Sequence, residues 1–323
     1  MAKVLAYGAL APAAAAILAK RADIDTVTIA GGDIALLHRE VAEAEAVIAR
    51  YLPFDRETIA RAKRLKVVAR YGVGYDNIDI QALTKRGIPL ATVGEANAVT
   101  VSEHALFMML ALAKQGIAYD RASRTGGWDR RESLATFELW RKTLLIVGFG
   151  RVGSRVAERC LAFGMRVLVY DPYIPQSDVE ARGAVPVADL DAAIPEADIV
   201  TLHTPATPET KNLIDGPRLQ RFRSSALLIN TARGSLVDEA ALVAALQADK
   251  LGGAGVDVYA VEPPATDHPL STAPRTVLSP HSAGLTVECA ARMGDVCAEN
   301  ALAAIDGRLD PAYVVNPEVL TLT

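Results

Sequence analysis

The sequence lacks a cysteine framework and has no block of charge of one sign. Three cysteines, Cys160, Cys289 and Cys297, occur among 323 residues, an odd number without the spacing typical of metal ligands. We predict that they are reduced thiols in the core, which argues against a disulfide scaffold and against a metal site. The net charge is −4 and basic residues form no runs, so the sequence has no electrostatic footprint for nucleic acid or an anionic membrane.

Long hydrophobic runs are also absent. No segment has the run of about 18 strongly apolar residues that a transmembrane helix needs. The apolar stretch after Lys3 superficially resembles a targeting signal, but residues 4–8 are typical of a strand, and Pro12 fits the first turn of a helix. A chain of 323 residues is long enough for two domains. These properties favour a cytoplasmic enzyme with a small-molecule substrate.

Short β-branched runs alternate with helix-like stretches along the whole chain. This alternation predicts an α/β fold in which crossover helices join the strands of parallel sheets. No linker rich in glycine, serine or proline separates the two halves. The predicted strands are residues 3–8, 46–49, 67–70, 89–93, 143–147, 166–170, 198–203, 226–230, 255–259 and 277–279.

Two long apolar helices are predicted where the chain passes between its halves. Residues 99–113 are too apolar for an exposed helix face and are expected to pack against two surfaces, and residues 285–305 are expected to return the chain to its first part. We therefore predict two domains, one of them discontinuous. They are an outer, substrate-binding domain of residues 1–96 and 286–323, and a nucleotide-binding domain of residues 97–285.

The clearest motif is an apolar strand that runs into a glycine-rich turn, LIVGFGRVG at residues 145–153. Gly148 permits a tight turn from strand to helix, Gly150 lets the backbone approach a pyrophosphate, and Gly153 allows the helix to pack closely on the sheet. A second apolar strand then ends at Asp171. Because strand, turn, helix, second strand and acidic residue follow in this order, the sequence predicts a dinucleotide cofactor.

The residues around this turn indicate NAD rather than NADP. The helix that opens near Arg151 presents N–H groups and the positive end of its dipole to the phosphates. The Asp171 carboxylate is predicted to accept hydrogen bonds from the adenosine ribose hydroxyls. The following residues, Pro172 and Tyr173, include no arginine that would receive a 2′-phosphate.

Three polar side chains follow later predicted strands, at the strand ends where ligands bind in open α/β sheets: Arg233, Glu262 and His281. A carbonyl that accepts a hydride needs a proton on its oxygen, and histidine can supply one near neutral pH. A carboxylate on the other ring nitrogen orients the imidazole and favours its cationic form. A guanidinium holds a substrate carboxylate by paired hydrogen bonds. Together the three side chains suit hydride transfer to a 2-oxo acid.

With these motifs, the chain resembles a known family, the D-isomer-specific 2-hydroxyacid dehydrogenases. The resemblance implies two Rossmann-like lobes with parallel sheets, a flavodoxin-like substrate lobe and an NAD-binding lobe, with the substrate held between them. It also implies a homodimer formed through the NAD-binding domains. The segments that carry it are RYGVGYDNID at 70–79, GFGRVG at 148–153, YDP at 170–172, NTARG at 230–234, VDE at 237–239, GVDVY at 255–259, EPP at 262–264 and PHSAG at 280–284.

The resemblance further implies roles for individual residues. Arg233, Glu262 and His281 correspond to the catalytic triad of the family. The backbone amides of Val73 and Gly74 correspond to the loop that holds the substrate carboxylate together with Arg233. The remaining correspondences are cofactor contacts: Arg151 and Val152 at the pyrophosphate turn, Asp257 at the nicotinamide carboxamide, and Thr100, His203, Thr204, Pro205 and Thr231 elsewhere.

Two alternative functions remain beside an NAD-dependent dehydrogenase of small 2-hydroxy acids. The C-terminal-binding corepressors resemble these enzymes and retain the same residues, so the chain also fits an NAD(H)-sensing interaction protein. Related folds oxidise formate or phosphite. Since formate oxidation needs no general acid, the presence of both Glu262 and His281 argues against that reaction. His104, inside the apolar helix of residues 99–113, is predicted to be structural.

Overall fold

The computed structural model describes residues 1–321. They form two compact units, each built around a parallel sheet. The first unit consists of Met1–Asn97 together with the chain from Leu285 onward, and the second consists of Ala98–Gly284. The first unit is therefore discontinuous in sequence.

Strands and helices alternate through most of the described chain. The strands are β1 (Ala2–Tyr7), β2 (Ile24–Ile29), β3 (Ala46–Ala49), β4 (Val67–Arg70), β5 (Leu90–Ala91), β6 (Thr143–Val147), β7 (Arg166–Tyr170), β8 (Val185–Pro186), β9 (Ile199–Leu202), β10 (Leu227–Asn230), β11 (Gly253–Val256) and β12 (Thr276–Leu278). The α-helices are α1 (Pro12–Leu18), α2 (Ile34–Glu40), α3 (Arg56–Arg61), α4 (Ile80–Lys85), α5 (Ala98–Ala113), α6 (Gly116–Arg124), α7 (Gly153–Ala162), α8 (Gln176–Glu180), α9 (Leu190–Ala193), α10 (Gly216–Leu219), α11 (Glu239–Gln247) and α12 (Val287–Ile305). Short 3-10 helices occupy Trp128–Ser133, Ile194–Glu196, Gly234–Leu236, Pro269–Ser271, Pro311–Tyr313 and Pro317–Thr321.

The sheet of the first unit has the strand order β2-β1-β3-β4-β5, which is the flavodoxin-like order. Its central strands are buried on both faces, so successive side chains enter different cores. Leu5, Val47 and Val68 belong to one core, whereas Val4 and Ile48 belong to the other. Helix α12 packs against β3 and β4 and covers the second face.

The sheet of the second unit has the order β12-β11-β10-β9-β6-β7-β8, and all its pairings are parallel. Strands β7 and β8 follow β6 in order toward one edge of the sheet. The chain then crosses to the other side of β6, where β9 to β12 follow in order toward the opposite edge. The order reverses between β6 and β9. In open α/β sheets ligands bind at the carboxyl ends of the strands beside such a reversal, so the turn after β6 lies where a ligand is expected.

Helix α5 packs against β10, β11 and β12 of the same unit and against α7. A Cβ atom on Gly255 would lie 2.9 Å from the Cβ atom of Met108, so the glycine lets the helix approach the sheet closely. Met108 and Met109 are fully buried, but Phe107 is 51% exposed. The apolar helix predicted for residues 99–113 is thus present, with part of its apolar surface exposed in this unit.

The predicted α/β fold with two parallel sheets is confirmed, although some elements differ from the prediction. Strands β2 and β8 were missed, and the strand expected at residues 255–259 is instead Gly253–Val256. The thiols of Cys160, Cys289 and Cys297 are free and buried, as predicted. Within residues 1–321, every helix is too short or too polar to cross a membrane.

Candidate active site

The glycine-rich turn after β6 is shaped by close approaches of backbone to backbone. Gly148 has a φ of +94°, and a Cβ atom there would lie 2.7 Å from the carbonyl carbon of His203. A Cβ atom on Gly153 would overlap the carbonyl oxygen of Gly148. Nothing lies within 4 Å of the position that a Cβ atom on Gly150 would take. The backbone at Gly150 is therefore open to close approach by a ligand, as a pyrophosphate requires.

Asp171 lies beside this turn, directly after β7. Its Oδ2 accepts a hydrogen bond of 2.7 Å from the backbone N–H of Phe149, and its Oδ1 accepts one of 2.9 Å from the N–H of Tyr173. The carboxylate thus ties the end of β7 to the glycine-rich turn. Each carboxylate oxygen can accept a further hydrogen bond, so these two bonds leave room for the predicted contact to the ribose, which stays a prediction.

The segment after β9 packs against the same turn, because the backbone of His203 and Thr204 closes over Gly148 and leads into Pro205. The His203 Nε2 atom lies 2.9 Å from the hydroxyl of Thr201. Desolvation of the ring lowers the pKa of His203 to about 3, so the ring is neutral at pH 7 and brings no positive charge to the turn.

The other predicted cofactor residues lie around this edge of the sheet. Val152 is the N-cap residue of α7, and Arg151 precedes it in the turn. Thr100 is buried in the first turn of α5. Thr231 follows β10, and within the described chain its buried Oγ1 atom has no hydrogen-bond partner. A buried hydroxyl without a partner is costly, so Thr231 fits a site whose ligand would supply the missing bond.

Glu262 and His281 form a direct pair. The Oε2 atom of Glu262 lies 2.6 Å from Nδ1 of His281, and its Oε1 atom accepts a 2.9 Å hydrogen bond from the backbone N–H of Tyr259. Burial would raise the pKa of Glu262, but the His281 bond, the Tyr259 N–H and the positive charge of Arg233 together lower it. Glu262 is therefore ionised at neutral pH and stabilises positive charge on the imidazole.

Arg233 is brought to this pair by the turn after β10. The Asn230 side chain donates a 2.8 Å hydrogen bond to the Arg233 carbonyl and holds the turn. A Cβ atom on Gly234 would overlap the carbonyl carbon of Tyr259, so this turn lies directly on the loop that carries Glu262. The structure thus brings together the three residues predicted to be catalytic.

Asp257 follows β11 and is fully buried. Its Oδ1 atom accepts hydrogen bonds from the Ser279 hydroxyl at 2.5 Å and the Ser282 N–H at 2.8 Å, and Oδ2 accepts one from the Ala283 N–H at 3.0 Å. In the described structure its carboxylate therefore binds one side-chain hydroxyl and two backbone N–H groups of the protein itself. The predicted contact to a nicotinamide carboxamide stays a prediction.

Sequence reasoning missed one residue that holds the loop of Glu262. Glu239, at the start of α11, accepts a 2.8 Å hydrogen bond from the Ala260 N–H, and its second oxygen lies 3.4 Å from Nε2 of His268. The VDE segment at residues 237–239 contains two acidic residues. Asp238 is explained by local structure, because it caps α11 by accepting a hydrogen bond from the Ala241 N–H. The second acidic residue, Glu239, has no such local role, and this was the signal that could have identified it.

Val73 and Gly74 belong to the first unit, in the loop after β4. The Tyr71 N–H donates to the Ala49 carbonyl at 2.8 Å, and the Tyr71 hydroxyl donates to the Ala290 carbonyl at 2.7 Å. These bonds anchor the start of the loop on β3 and α12. The proposed contact of the loop amides to a substrate carboxylate stays a prediction.

A glycine-rich turn at the reversal of a parallel sheet, with an acidic residue after the next strand, defines the class of dinucleotide-binding Rossmann proteins. Comparison of sequences gives the family. The sequence profile of the "D-isomer specific 2-hydroxyacid dehydrogenase, NAD binding domain" matches residues 106–283. The chain belongs to this family, as predicted, and its cofactor is NAD.

Individual relatives agree with this assignment. A D-3-phosphoglycerate dehydrogenase of Archaeoglobus fulgidus is 40% identical over 82% of this chain and 50% of its own length. A glyoxylate reductase of Korarchaeum cryptofilum is 38% identical over 83% of this chain and 81% of its own length. The solved structure of a D-lactate dehydrogenase from Aquifex aeolicus, complexed with NAD and lactic acid, has 29% identity and a TM-score of 0.88, covering 97% of this chain and 99% of its own. The chain spans 50% of the length of one of the phosphoglycerate dehydrogenases that it matches and 60% of another.

Proposed function

We propose that this protein is an NAD-dependent dehydrogenase that interconverts a small D-2-hydroxy acid and its 2-oxo acid. The observation that carries the proposal is the 2.6 Å pair of Glu262 and His281 beside Arg233. This is the arrangement that protonates a carbonyl oxygen next to a carboxylate. The relatives named phosphoglycerate dehydrogenase, glyoxylate reductase and D-lactate dehydrogenase support it.

The residues present fit NAD, because the backbone at Gly150 is open and the buried Thr231 hydroxyl lacks a partner in the described chain. The glycine-rich turn would hold the pyrophosphate, and Asp171 the adenosine ribose. When bound, the nicotinamide supplies the hydride chemistry.

During reduction, the protein's own residues bind the 2-oxo acid and move one proton. Arg233 pairs with the substrate carboxylate and polarises the neighbouring carbonyl. Nε2 of protonated His281 donates its proton to the carbonyl oxygen as negative charge develops there. Glu262, on Nδ1, keeps the ring oriented and stabilises its charged form. In oxidation the neutral His281 accepts the proton from the substrate hydroxyl.

The direct test is turnover. NADH oxidation is followed spectrophotometrically with glyoxylate, hydroxypyruvate, pyruvate, longer 2-oxo acids and phosphohydroxypyruvate. We expect reduction of at least one of them. NADH binding without turnover of any of them would overturn the proposal in favour of an NAD(H)-sensing protein. NAD reduction with formate alone would favour a formate-type reaction, for which the Glu262–His281 pair has no evident use.

The cofactor preference gives the first prediction. Because the Asp171 carboxylate lies beside the turn and would repel a 2′-phosphate, NADH should bind at least about tenfold more tightly than NADPH. Asp171→Ala should narrow that ratio, and Asp178→Ala, at an exposed carboxylate of the same unit, should leave it unchanged. Fluorescence titration with both cofactors measures the ratio. Equal affinities in the unsubstituted protein would contradict the role of Asp171.

The pH dependence gives the second prediction. Glu262→Gln removes the negative charge but keeps the shape, so His281 should lose its proton at lower pH. Because reduction needs protonated His281, the alkaline limb of the pH profile of kcat/KM for reduction should shift to lower pH. Because oxidation needs neutral His281, the acidic limb of the profile for oxidation should also shift to lower pH. An isotope effect with deuterated NADH identifies conditions in which chemistry limits the rate. Glu158→Gln, which changes an exposed glutamate, is the control. If the pH profiles of kcat/KM in Glu262→Gln coincide with those of this control in both directions, Glu262 is not the partner that sets the protonation of His281.

We also propose that the protein is a cytoplasmic homodimer joined through its second unit. Four of the exposed large apolar side chains of this unit belong to α6 and to residues 128–140, and a cavity of about 1070 Å³ lies between α5, α6 and β12. Exposed apolar surface of this extent is typical of an interface, and free buried thiols suit a reducing compartment. The four side chains are Ile117, Trp128, Leu134 and Trp140.

The dimer is tested by light scattering after gel filtration. The unsubstituted protein should have twice the chain mass. The double change Trp128→Ser with Leu134→Ser should shift it toward the mass of one chain, because both side chains are more than half exposed in the isolated unit. Tyr51→Ser, which removes an exposed aromatic side chain from the first unit, should have no effect. A monomeric unsubstituted protein would contradict the proposal.

A further inference from the structure

The turn that carries His281 is held in an unfavourable backbone conformation. His281 has a φ of +51°, in the left-handed region that a non-glycine residue seldom adopts. Such a conformation persists only where the surrounding structure enforces it. Here the enforcement comes from Asp257, whose carbonyl accepts the His281 N–H at 2.7 Å and whose carboxylate accepts the N–H groups of Ser282 and Ala283.

The orientation of the Asp257 carboxylate is fixed in turn by a chain of hydrogen bonds whose direction can be derived. Ser279 has one hydroxyl proton, and an ionised carboxylate can only accept hydrogen bonds. In the 2.5 Å bond between them, the Ser279 hydroxyl therefore donates its proton to the Asp257 carboxylate. The Ser279 oxygen must then accept from its other neighbour, Nε2 of His104, at 2.9 Å. His104 is therefore protonated on Nε2 and is the first donor of the chain.

This chain connects helix α5 to the turn that carries His281, within one unit. His104 lies in the middle of α5, which packs against β10, β11 and β12. Its Nε2 atom is also 3.8 Å from Oδ1 of Asp257. Without this donor, the Ser279 hydroxyl would be free to rotate away from Asp257.

We propose that His104 is a positioning residue for His281, acting through Ser279 and Asp257 on the turn that holds the catalytic imidazole. The kinetic part of this inference rests on the proposed dehydrogenase function. The structural part does not, because it concerns the backbone amides that Asp257 binds. His104 thus has a role beyond the structural one predicted from the sequence.

The test compares His104→Leu, which removes the donor, with His104→Gln, whose side-chain amide can donate from nearly the same position. Backbone hydrogen exchange at His281, Ser282 and Ala283 is measured in the full chain without cofactor. The loss of a hydrogen bond to a charged acceptor predicts about 10- to 100-fold faster exchange at these amides in His104→Leu, with recovery in His104→Gln. His38→Leu is the matched control, since His38 makes a comparable bond of 3.3 Å to the Thr58 hydroxyl in the first unit.

Kinetics provide the second readout. In His104→Leu, kcat for reduction should fall about tenfold or more while the Kd of NADH stays unchanged, and His104→Gln should restore kcat. Unchanged exchange at the three amides would overturn the inference, as would weaker NADH binding with unchanged kcat. If the unsubstituted protein turns over no 2-oxo acid, the proposed function fails, but the exchange measurement still decides the positioning role. Should His104→Leu not fold, Ser279→Ala against Ser279→Thr tests the same chain.

Discussion

Replacing His281 with Asn is expected to lower kcat for 2-oxo acid reduction by about 10²- to 10⁴-fold, the usual contribution of a positioned general acid. Asn is the informative replacement because the backbone at this position has a φ of +51°, which Asn tolerates better than most residues. The turn should therefore persist while the titratable proton is lost. The measurement is kcat at saturating NADH and 2-oxo acid over a range of pH.

Two comparisons make this result specific. The Kd of NADH should change little, because His281 is assigned to the substrate. His38→Asn, a change of the same kind in the first unit, should leave kcat unaltered. If His281→Asn retains most of its activity and the alkaline limb of its pH profile, another group donates the proton and the assignment of His281 is wrong.

Replacing Arg233 with Lys is expected to lower kcat/KM for the 2-oxo acid by about 100-fold or more. A guanidinium presents two parallel N–H groups to a carboxylate, whereas an ammonium is a point charge that cannot reproduce both bonds. Each charge-assisted bond is worth roughly 1.5–3 kcal/mol, so the loss of one is large even though the positive charge remains. Steady-state kinetics with varied 2-oxo acid measure the effect.

Measuring NADH affinity in Arg233→Lys distinguishes a role of Arg233 in binding the substrate from a role in binding the cofactor. NADH affinity should be close to that of the unsubstituted protein, because Arg233 follows β10 beside the loop of Glu262 and its positive charge acts on that carboxylate. Arg166→Lys, at an exposed arginine paired with Glu196, is the matched control and should change neither quantity. Preserved catalytic efficiency combined with lost NADH binding would place Arg233 in the cofactor site.

The sequence predicted the parts of this molecule that depend on local chemistry. The turn at residues 148–153 was predictable because Gly148 and Gly153 each meet backbone atoms that leave no room for a Cβ atom, whereas Gly150 leaves the backbone open to a ligand. The polar residues at the ends of β10, β11 and β12 were also predictable, because a polar residue ends or directly follows each of these apolar runs. The edge strand β2 was missed because its exposed polar residues, such as Asp25 and Thr26, resemble a loop. The two-residue strand β8 is too short to leave a pattern.

Side-chain partnerships between distant segments could not be predicted. The bonds of the Asp257 carboxylate to the Ser279 hydroxyl and to two backbone N–H groups were not predicted, and its predicted contact to a nicotinamide stays a prediction. His104 and Ser279 are separated by 175 positions in the chain, and nothing in either local pattern indicates that they meet. Phe107 follows the apolar pattern of its helix but is half exposed. Whether an apolar residue is covered depends on the whole assembly, which a periodic pattern does not specify.

The contact of Gly234 with the backbone of Tyr259 and Ala260 has a consequence for recombining members of this family. The loop of Arg233 and the loop of Glu262 touch main chain to main chain, so the shape of one sets the shape of the other without any side chain to absorb a mismatch. A chimera with a crossover between residues 234 and 259 would combine two loops from different parents. Chimeras should therefore inherit this segment as a single block, with crossovers placed before β10 or after β12.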